Sequence, residues 1–152
     1  MKHRLKANEH RPVIEVVKNY GEIPQLECFP GQLNQVFLNL IANAIDALEE
    51  SNKGLSFQQV EDNPNRITIV TTLSEDRHHV LIQIQDNGMG MSENVKQKLF
   101  GYLFTTKGVG KGTGLGLSIS RQIIEEKHGG QLTVTSELGK GTELAIAIPI
   151  LS

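Results

Sequence analysis

Gly108-Val109-Gly110-Lys111-Gly112-Thr113-Gly114-Leu115-Gly116 runs without a break into a stretch whose apolar residues fall at helical spacing. A second cluster, Asp86-Asn87-Gly88-Met89-Gly90, ends a strand-like run. The span from Gly88 to Gly116 holds eight of the chain's fifteen glycines. Glycine loses more backbone entropy on folding than any other residue, so such density needs a reason. A glycine loop feeding a helix start offers unpaired N–H groups and the positive end of a dipole, which suits a phosphate. The pattern predicts a nucleotide site.

It matches neither common phosphate fingerprint. A dinucleotide-binding turn spaces its glycines G-x-G-x-x-G directly after a strand, whereas these alternate after a long loop. A P-loop needs Gly-Lys followed by Ser or Thr, and Gly110-Lys111 is followed by Gly112.

Upstream, Leu33, Val36, Phe37, Leu40, Ile41, Ala44 and Leu48 recur at helical spacing from Gln32 to about Glu50. The same helix carries Gln35, Asn39, Asn43 and Asp46 at intervals of four, four and three, a single polar stripe. A solvated face is the competing reading, but such a face favours Lys, Glu and Arg over short amides of poor helix propensity. Asparagine carbonyls are good ligands for Mg²⁺, which keeps several waters and binds few protein groups plus phosphates. Asp86 admits two readings as well. Asp-Asn-Gly is a good turn, and it can equally set a carboxylate at a pocket floor to accept the exocyclic amine of adenine, with Gly88 and Gly90 letting the base approach.

The remaining elements follow from alternation and breakers. Val13–Val17 and Leu26–Phe29 read as short strands, and Ser51–Asn65 as a polar loop. Arg66–Thr72 and His79–Gln85 form a hairpin, and a short helix runs from about Ser92 to Phe100. Leu115–Lys127 is a helix stopped by His128-Gly129-Gly130. Gln131–Ser136 and Thr142–Ile150 close a second hairpin. The order implies an α+β fold with one mixed sheet and helices on one face.

At 152 residues the chain is one domain's worth, and a net charge of −2 gives no field favouring nucleic acid. The single Cys28 has no disulfide partner, which fits a reducing, cytoplasmic setting, and no apolar run approaches the roughly 20 residues of a membrane span. No direct membrane contact is expected of the domain, and it is expected to be monomeric.

Five segments, taken in order, resemble the N, G1, F, G2 and G3 boxes of sensor histidine kinases. They are Asn39-Leu-Ile-Ala-Asn43-Ala-Ile-Asp46-Ala, Asp86-Asn-Gly-Met-Gly90, Leu99-Phe100 with Phe104-Thr-Thr-Lys107, Gly112-Thr-Gly-Leu-Gly-Leu-Ser118, and Gly139-Lys-Gly-Thr142. The resemblance covers about residues 12 to 150. It implies the catalytic ATP-binding domain of that family, a Bergerat-fold two-layer α/β sandwich with about three helices on one face. Residues 12–152 would be that domain, and 1–11 the remnant of a connecting helix. Carried over, the resemblance makes Asn43 the Mg²⁺ ligand with Asn39 assisting, and Asp86 the holder of adenine. Phe104 would pack an ATP lid, with Lys107 and Lys111 available to the phosphates. Gly112, Thr113, Gly114, Leu115 and Gly116 would bind phosphate oxygens through backbone N–H groups, and Thr142 would add a contact near the adenine. Asp46 stands where some members place a lysine, and is expected to order Asn43, a water or a lid lysine. Gly101-Tyr102-Leu103 replace the more common Glu-Pro-Phe of the F box.

The implied activity is transfer of the γ-phosphoryl group of ATP to a histidine on a separate dimerisation domain, with a response regulator as a further partner. None of the five histidines (His3, His10, His78, His79, His128) has the acceptor's setting, an acidic residue and then a proline in a helix, and all five read as solvated surface. ATP-hydrolysing relatives carry a glutamate base one turn before the Mg²⁺ asparagine. That position is Asn39, whose neutral amide accepts no proton at pH 7. An ATP-hydrolysing relative and a nucleotide-free interaction module are the alternative readings.

Overall fold

The computed structural model describes residues 2–9, 11–21, 28–94 and 113–150. The elements, in chain order, are α1 (Lys2–Leu5), β1 (Glu15–Tyr20), α2 (Pro30–Ser51), α3 (Phe57–Asp62), β2 (Arg66–Leu73), β3 (His79–Asp86), α4 (Thr113–Gln122), β4 (Gln131–Glu137) and β5 (Gly141–Pro149). The five strands form one mixed sheet in the order β1-β2-β3-β5-β4, with β1 parallel to β2 and every other pair antiparallel.

Proline opens α2, where a missing N–H costs no hydrogen bond. The helix then buries Leu33, Val36, Leu40, Ala44, Ile45 and Leu48, with Phe37 and Ile41 packed at the margin of the core. This is the stripe expected from the spacing. Alternation along the strands supplies the opposing surface. Val80, Ile82 and Ile84 of β3 pair with Ile148, Ile146 and Leu144 of β5, and all six are buried. The other face of the sheet carries Thr68, Gln83, Gln85, Thr133 and Thr135. Helices α2 and α4 pack on each other and on the apolar face, so the core is one layer between sheet and helices.

Three local expectations need correction. Cys28 and Phe29 are not in a strand, and β1 pairs instead with β2, Glu15 opposite Arg66, through a parallel register that no local pattern encodes. The stretch Ser51–Asn65 is not all loop: it contains α3, opened by a capping box in which Ser56 Oγ accepts from Gln59 N and Gln59 Oε1 from Ser56 N. The last helix does not stay α-helical to Lys127 either, since Ile123–Lys127 is a π-helical turn that brings the adjacent Ile123 and Ile124 both into the core. After Ser92 the chain enters helical conformation at Glu93, and the rest of that expected helix lies outside the described residues.

His128 is not simply solvated. Its Nε2 accepts from the Phe29 N–H at 3.0 Å, which fixes the tautomer and leaves Nδ1–H to donate to the Ile123 carbonyl at 3.1 Å. The residue joins the start of α2 to the end of the π turn, and its ring meets that of Phe29 edge-on at 5.5 Å.

Candidate functional site

The alternation that buries Val80, Ile82 and Ile84 continues to Asp86, so the last residue of β3 turns its carboxylate to the helix-covered face of the sheet. Across the ladder stands Thr142, and across from Thr142 stands Ser136. One end of an otherwise apolar face is therefore polar. Burial holds the Asp86 carboxyl above its ordinary value, while hydrogen bonds from the N–H groups of Gly88 and Thr142 pull the other way. Ser136 Oγ and Thr142 Oγ1 share a hydrogen at 2.8 Å, and Ser136 Oγ accepts from the Met91 N–H at 2.8 Å.

The loop after Asp86 is held on three sides. Asn87 Oδ1 accepts from Arg66 N at 2.7 Å, and its Nδ2 donates to the Pro64 carbonyl at 2.9 Å. Ser51, in the last turn of α2, donates to the Ala47 carbonyl at 2.8 Å and accepts from Met89 N at 2.8 Å. Gly139 N donates to the Met89 carbonyl at 2.7 Å, tying in the β4–β5 turn. Two glycines are dictated by this packing. Gly90 has φ +74° and presents its Cα to the Glu137 carbonyl, and Gly141 has φ +83° and presents its own to the Asp86 carbonyl; a Cβ at either would collide with backbone.

Between this loop, α2 and the start of α4 lies a cavity of about 550 Å³. Asn43, Asp46, Asp86, Gly90 and Thr142 all line it, so residues spread over a hundred positions meet on one cavity. Ala47, Ser51, Met89, Leu117, Leu138 and Leu144 join them, and were not anticipated. Met89 and Leu138 are large apolar side chains left 52% and 60% exposed on the cavity's lining, which is the character of a small-molecule pocket rather than of an indifferent surface. Exposed aliphatic residues next to a Gly-rich turn were the available signal.

Asn43 carries the most specific geometry. Its Nδ2 donates to the Asn39 carbonyl at 3.0 Å, one turn back, and its Oδ1 is buried with no hydrogen-bond partner among the described residues. An orphaned buried acceptor costs about 1–3 kcal/mol. Its chemistry, a hard neutral oxygen held by a fixed amide, fits a Mg²⁺ ligand. Asn39 does not reach the cavity lining; its Nδ2 donates to the fully buried Ser120 Oγ at 3.3 Å, joining α2 to α4. Among the described residues Asp46 bonds to Arg4 and not to Asn43. Its Oδ1 takes a 2.7 Å ion pair from Arg4, and that hydrogen bond is the chief reason the guanidinium is raised from its ordinary value. Gly88 packs its backbone against Ser51 Oγ and donates its N–H to Asp86 Oδ1 at 2.9 Å. Thr113, Gly114, Leu115 and Gly116 form the first turn of α4, directly before the cavity residue Leu117. Phe104, Lys107, Lys111 and Gly112 lie outside the described residues.

No described helix is long and apolar enough to cross a membrane. Residues 29–152 match the family of histidine kinase-, DNA gyrase B-, and HSP90-like ATPases. Sporulation kinase E of Bacillus subtilis is 40% identical over 108 residues, which is 71% of this chain and 12% of that protein. The sensor histidine kinase ZraS of Escherichia coli O157:H7 is 34% identical over 108 residues, 71% of this chain and 20% of its own. The chain thus spans a fifth or less of these two relatives. Among solved structures, the catalytic domain of histidine kinase ThkA in a nucleotide-free form superposes with a TM-score of 0.67 at 28% identity, covering 90% of this chain and 80% of that one. Full-length ShkA in complex with AMPPNP shares the fold, with a TM-score of 0.67 at 23% identity over 91% of this chain and 26% of that one. With the family match across residues 29–152 and an α+β sandwich of the same kind, this chain belongs to the histidine kinase-, DNA gyrase B- and HSP90-like ATPases, among relatives that are sensor histidine kinases.

Proposed function

We propose that this domain binds Mg-ATP and presents its γ-phosphoryl group to a histidine on a separate dimerisation domain, in a two-component pathway that continues to a response regulator. In that reaction the phosphoryl group passes from ATP to an imidazole nitrogen and ADP remains. The observation that carries the reading is the convergence of a half-buried carboxylate at Asp86 and, at Asn43, an amide oxygen without a partner among the described residues, on one cavity of about 550 Å³.

The roles divide by position. Asp86 accepts the exocyclic amine of adenine, with the Thr142 and Ser136 hydroxyls beside it and the apolar side chains of Met89 and Leu138 toward the faces of the base. A hydrogen bond to an ionised acceptor is worth about 1.5–3 kcal/mol, and water excluded by apolar walls strengthens it. The N–H groups of the first turn of α4 receive phosphate oxygens. Asn43 would hold Mg²⁺, which when bound neutralises phosphate charge and aligns the leaving group. Phosphoryl transfer depends mainly on such positioning and charge stabilisation. Asn39 gives its amide hydrogen to Ser120 and contributes no base, which favours a phosphotransferase over an ATP-hydrolysing relative. Residues 1–11 are then the end of the connection to the dimerisation domain, and 12–152 the catalytic domain itself.

Titration calorimetry with ATP and ADP, with and without Mg²⁺, tests the first half. Incubation with ATP beside a dimerisation domain carrying the acceptor histidine tests the second. The expected results are saturable nucleotide binding, negligible phosphate release by the domain alone, and phosphohistidine in the mixture. A folded domain that binds neither nucleotide, or that turns over ATP steadily by itself, overturns the proposal.

A further inference from the structure

The nucleotide cavity has an acidic wall. Asp46 and Glu50 of α2 line it together with Asp86, and a polyphosphate brought there meets carboxylates at close range. Glu50 is paired with Lys53 at 2.8 Å, and Asp86 sits at the sheet end of the cavity. Asp46 lies one turn beyond Asn43 on the same helix, hence beside the position taken by the phosphates if Asn43 holds their cation. Among the described residues the cation on Asp46 is Arg4, from a segment distant in sequence.

That segment is built, not draped. Arg4 Nη2 reaches Asp46 Oδ1 at 2.7 Å and Glu49 Oε1 at 2.9 Å, while the other Glu49 oxygen takes Arg11 at 3.4 Å. Arg11 has a side chain only 3% exposed, and its guanidinium donates to the carbonyls of Arg4, Lys6 and Pro12. Asn8 Oδ1 accepts from Arg11 N at 3.0 Å, and Ile14 N donates to the Leu5 carbonyl at 2.8 Å. Isolated surface ion pairs contribute little because two flexible chains must be ordered to make them. Here the ordering is already supplied by the packing of residues 4–9 and 11–14, and Arg4 is delivered to α2 in place.

We infer that Arg4 is a positioning residue of the nucleotide site: paired to Asp46 on the cavity wall, it cancels a carboxylate that would otherwise repel the polyphosphate of the bound nucleotide. The inference rests on the ATP reading above. Its effect grows with ligand charge and is absent for adenosine. Because coupling of this kind is reciprocal, ATP in the cavity also holds the segment carrying Arg4 and Arg11 against α2, so the state of that segment and the occupancy of the site report on each other.

Arg4→Gln, Asp46→Asn and the double variant of the full chain, titrated with ATP and adenosine, test it. Arg4→Gln weakens ATP roughly tenfold at low salt, the order expected for one uncompensated charge beside a polyphosphate at a half-exposed site, and the difference shrinks as salt is added. Asp46→Asn tightens ATP by a similar factor. The double variant restores the charge balance and returns to within about twofold of wild type. Adenosine binds all four proteins alike, which also shows that the pocket is intact. A clamp that mattered only for packing would leave the double variant no better than Arg4→Gln. That result, unchanged ATP affinity in Arg4→Gln, or equal losses for ATP and adenosine overturns the inference. A wild type that binds no nucleotide overturns the ATP reading instead.

Discussion

Asp86→Asn separates what the pocket does for its ligand from what it costs the fold. The substitution is nearly isosteric and keeps an oxygen to accept the Gly88 N–H, now at 2.9 Å. Burial holds the Asp86 carboxyl above the ordinary 3.8 despite the two N–H groups directed at it, so the ionised group is on balance a burden on the empty domain. The folded state binds this proton more tightly than the unfolded chain does. Its contribution to stability is therefore complete below pH 3.8, declines as pH rises from there through the raised value, and stays lost at neutral pH. The Asn variant escapes that decline: relative to wild type it gains on raising the pH out of the acid range, and at pH 7 it melts at the same temperature or higher. Ligand affinity moves in the opposite direction. Losing a charge-assisted bond to the adenine amine costs about 1.5–3 kcal/mol, a ten- to hundredfold weaker Kd for ADP. Calorimetric titration with ADP and melting curves from pH 3 to 8 read both effects. A variant that melts well below wild type at pH 7, or that binds ADP undiminished, refutes the reasoning.

Asn43→Ala abolishes the Mg²⁺ dependence of ATP binding while leaving the melting temperature of the empty domain within ~2 °C, because a bonded donor and an orphaned acceptor are removed together; calorimetry with and without Mg²⁺ decides it. Gly141→Ala forces a side chain into a left-handed backbone and against the Asp86 carbonyl, costing about 3 kcal/mol and lowering the melting temperature by roughly 6–12 °C in scanning calorimetry. His128→Ala removes one acceptor and one donor that join α2 to the π turn. It is expected to cost about 1–2 kcal/mol, measured as a shift in denaturation midpoint at unchanged slope.

Much of this could be read from residue order because it is local. The apolar stripe of α2, the alternation in β3 and β5 and the glycine clusters each encode their structure within a few positions, whereas the meeting of Asn43, Asp86 and Thr142 on one cavity was legible only through the family resemblance. What escaped is non-local or depends on tertiary partners. Parallel pairing of β1 with β2 joins Glu15 to Arg66 across the whole of α2 and α3, and nothing near Val16 announces it. The partner of Asp46 lies forty-two positions away, at Arg4. His128 looked solvated because helix-stop patterns say nothing of the Phe29 N–H that its ring accepts. One miss had a visible cue: Ser56-Phe57-Gln58-Gln59 is a capping-box sequence, inside a stretch whose polarity suggested only loop.

The edge position of β1 also sets an order of events. Its one neighbour in the sheet among the described residues is β2, fifty-one positions later, whereas β2–β3 and β4–β5 are joined by short turns. A chain emerging from the ribosome cannot seat residues 15–20 until Leu73 is out, and closing so long a loop is entropically slow. The segment carrying Arg4 and Arg11 depends on that seating through the Ile14–Leu5 bond. It is thus among the last parts to settle in folding and, with one neighbour rather than two, among the first to open in the native state. Opening there leaves β3 and β5, which frame the cavity floor, paired to each other.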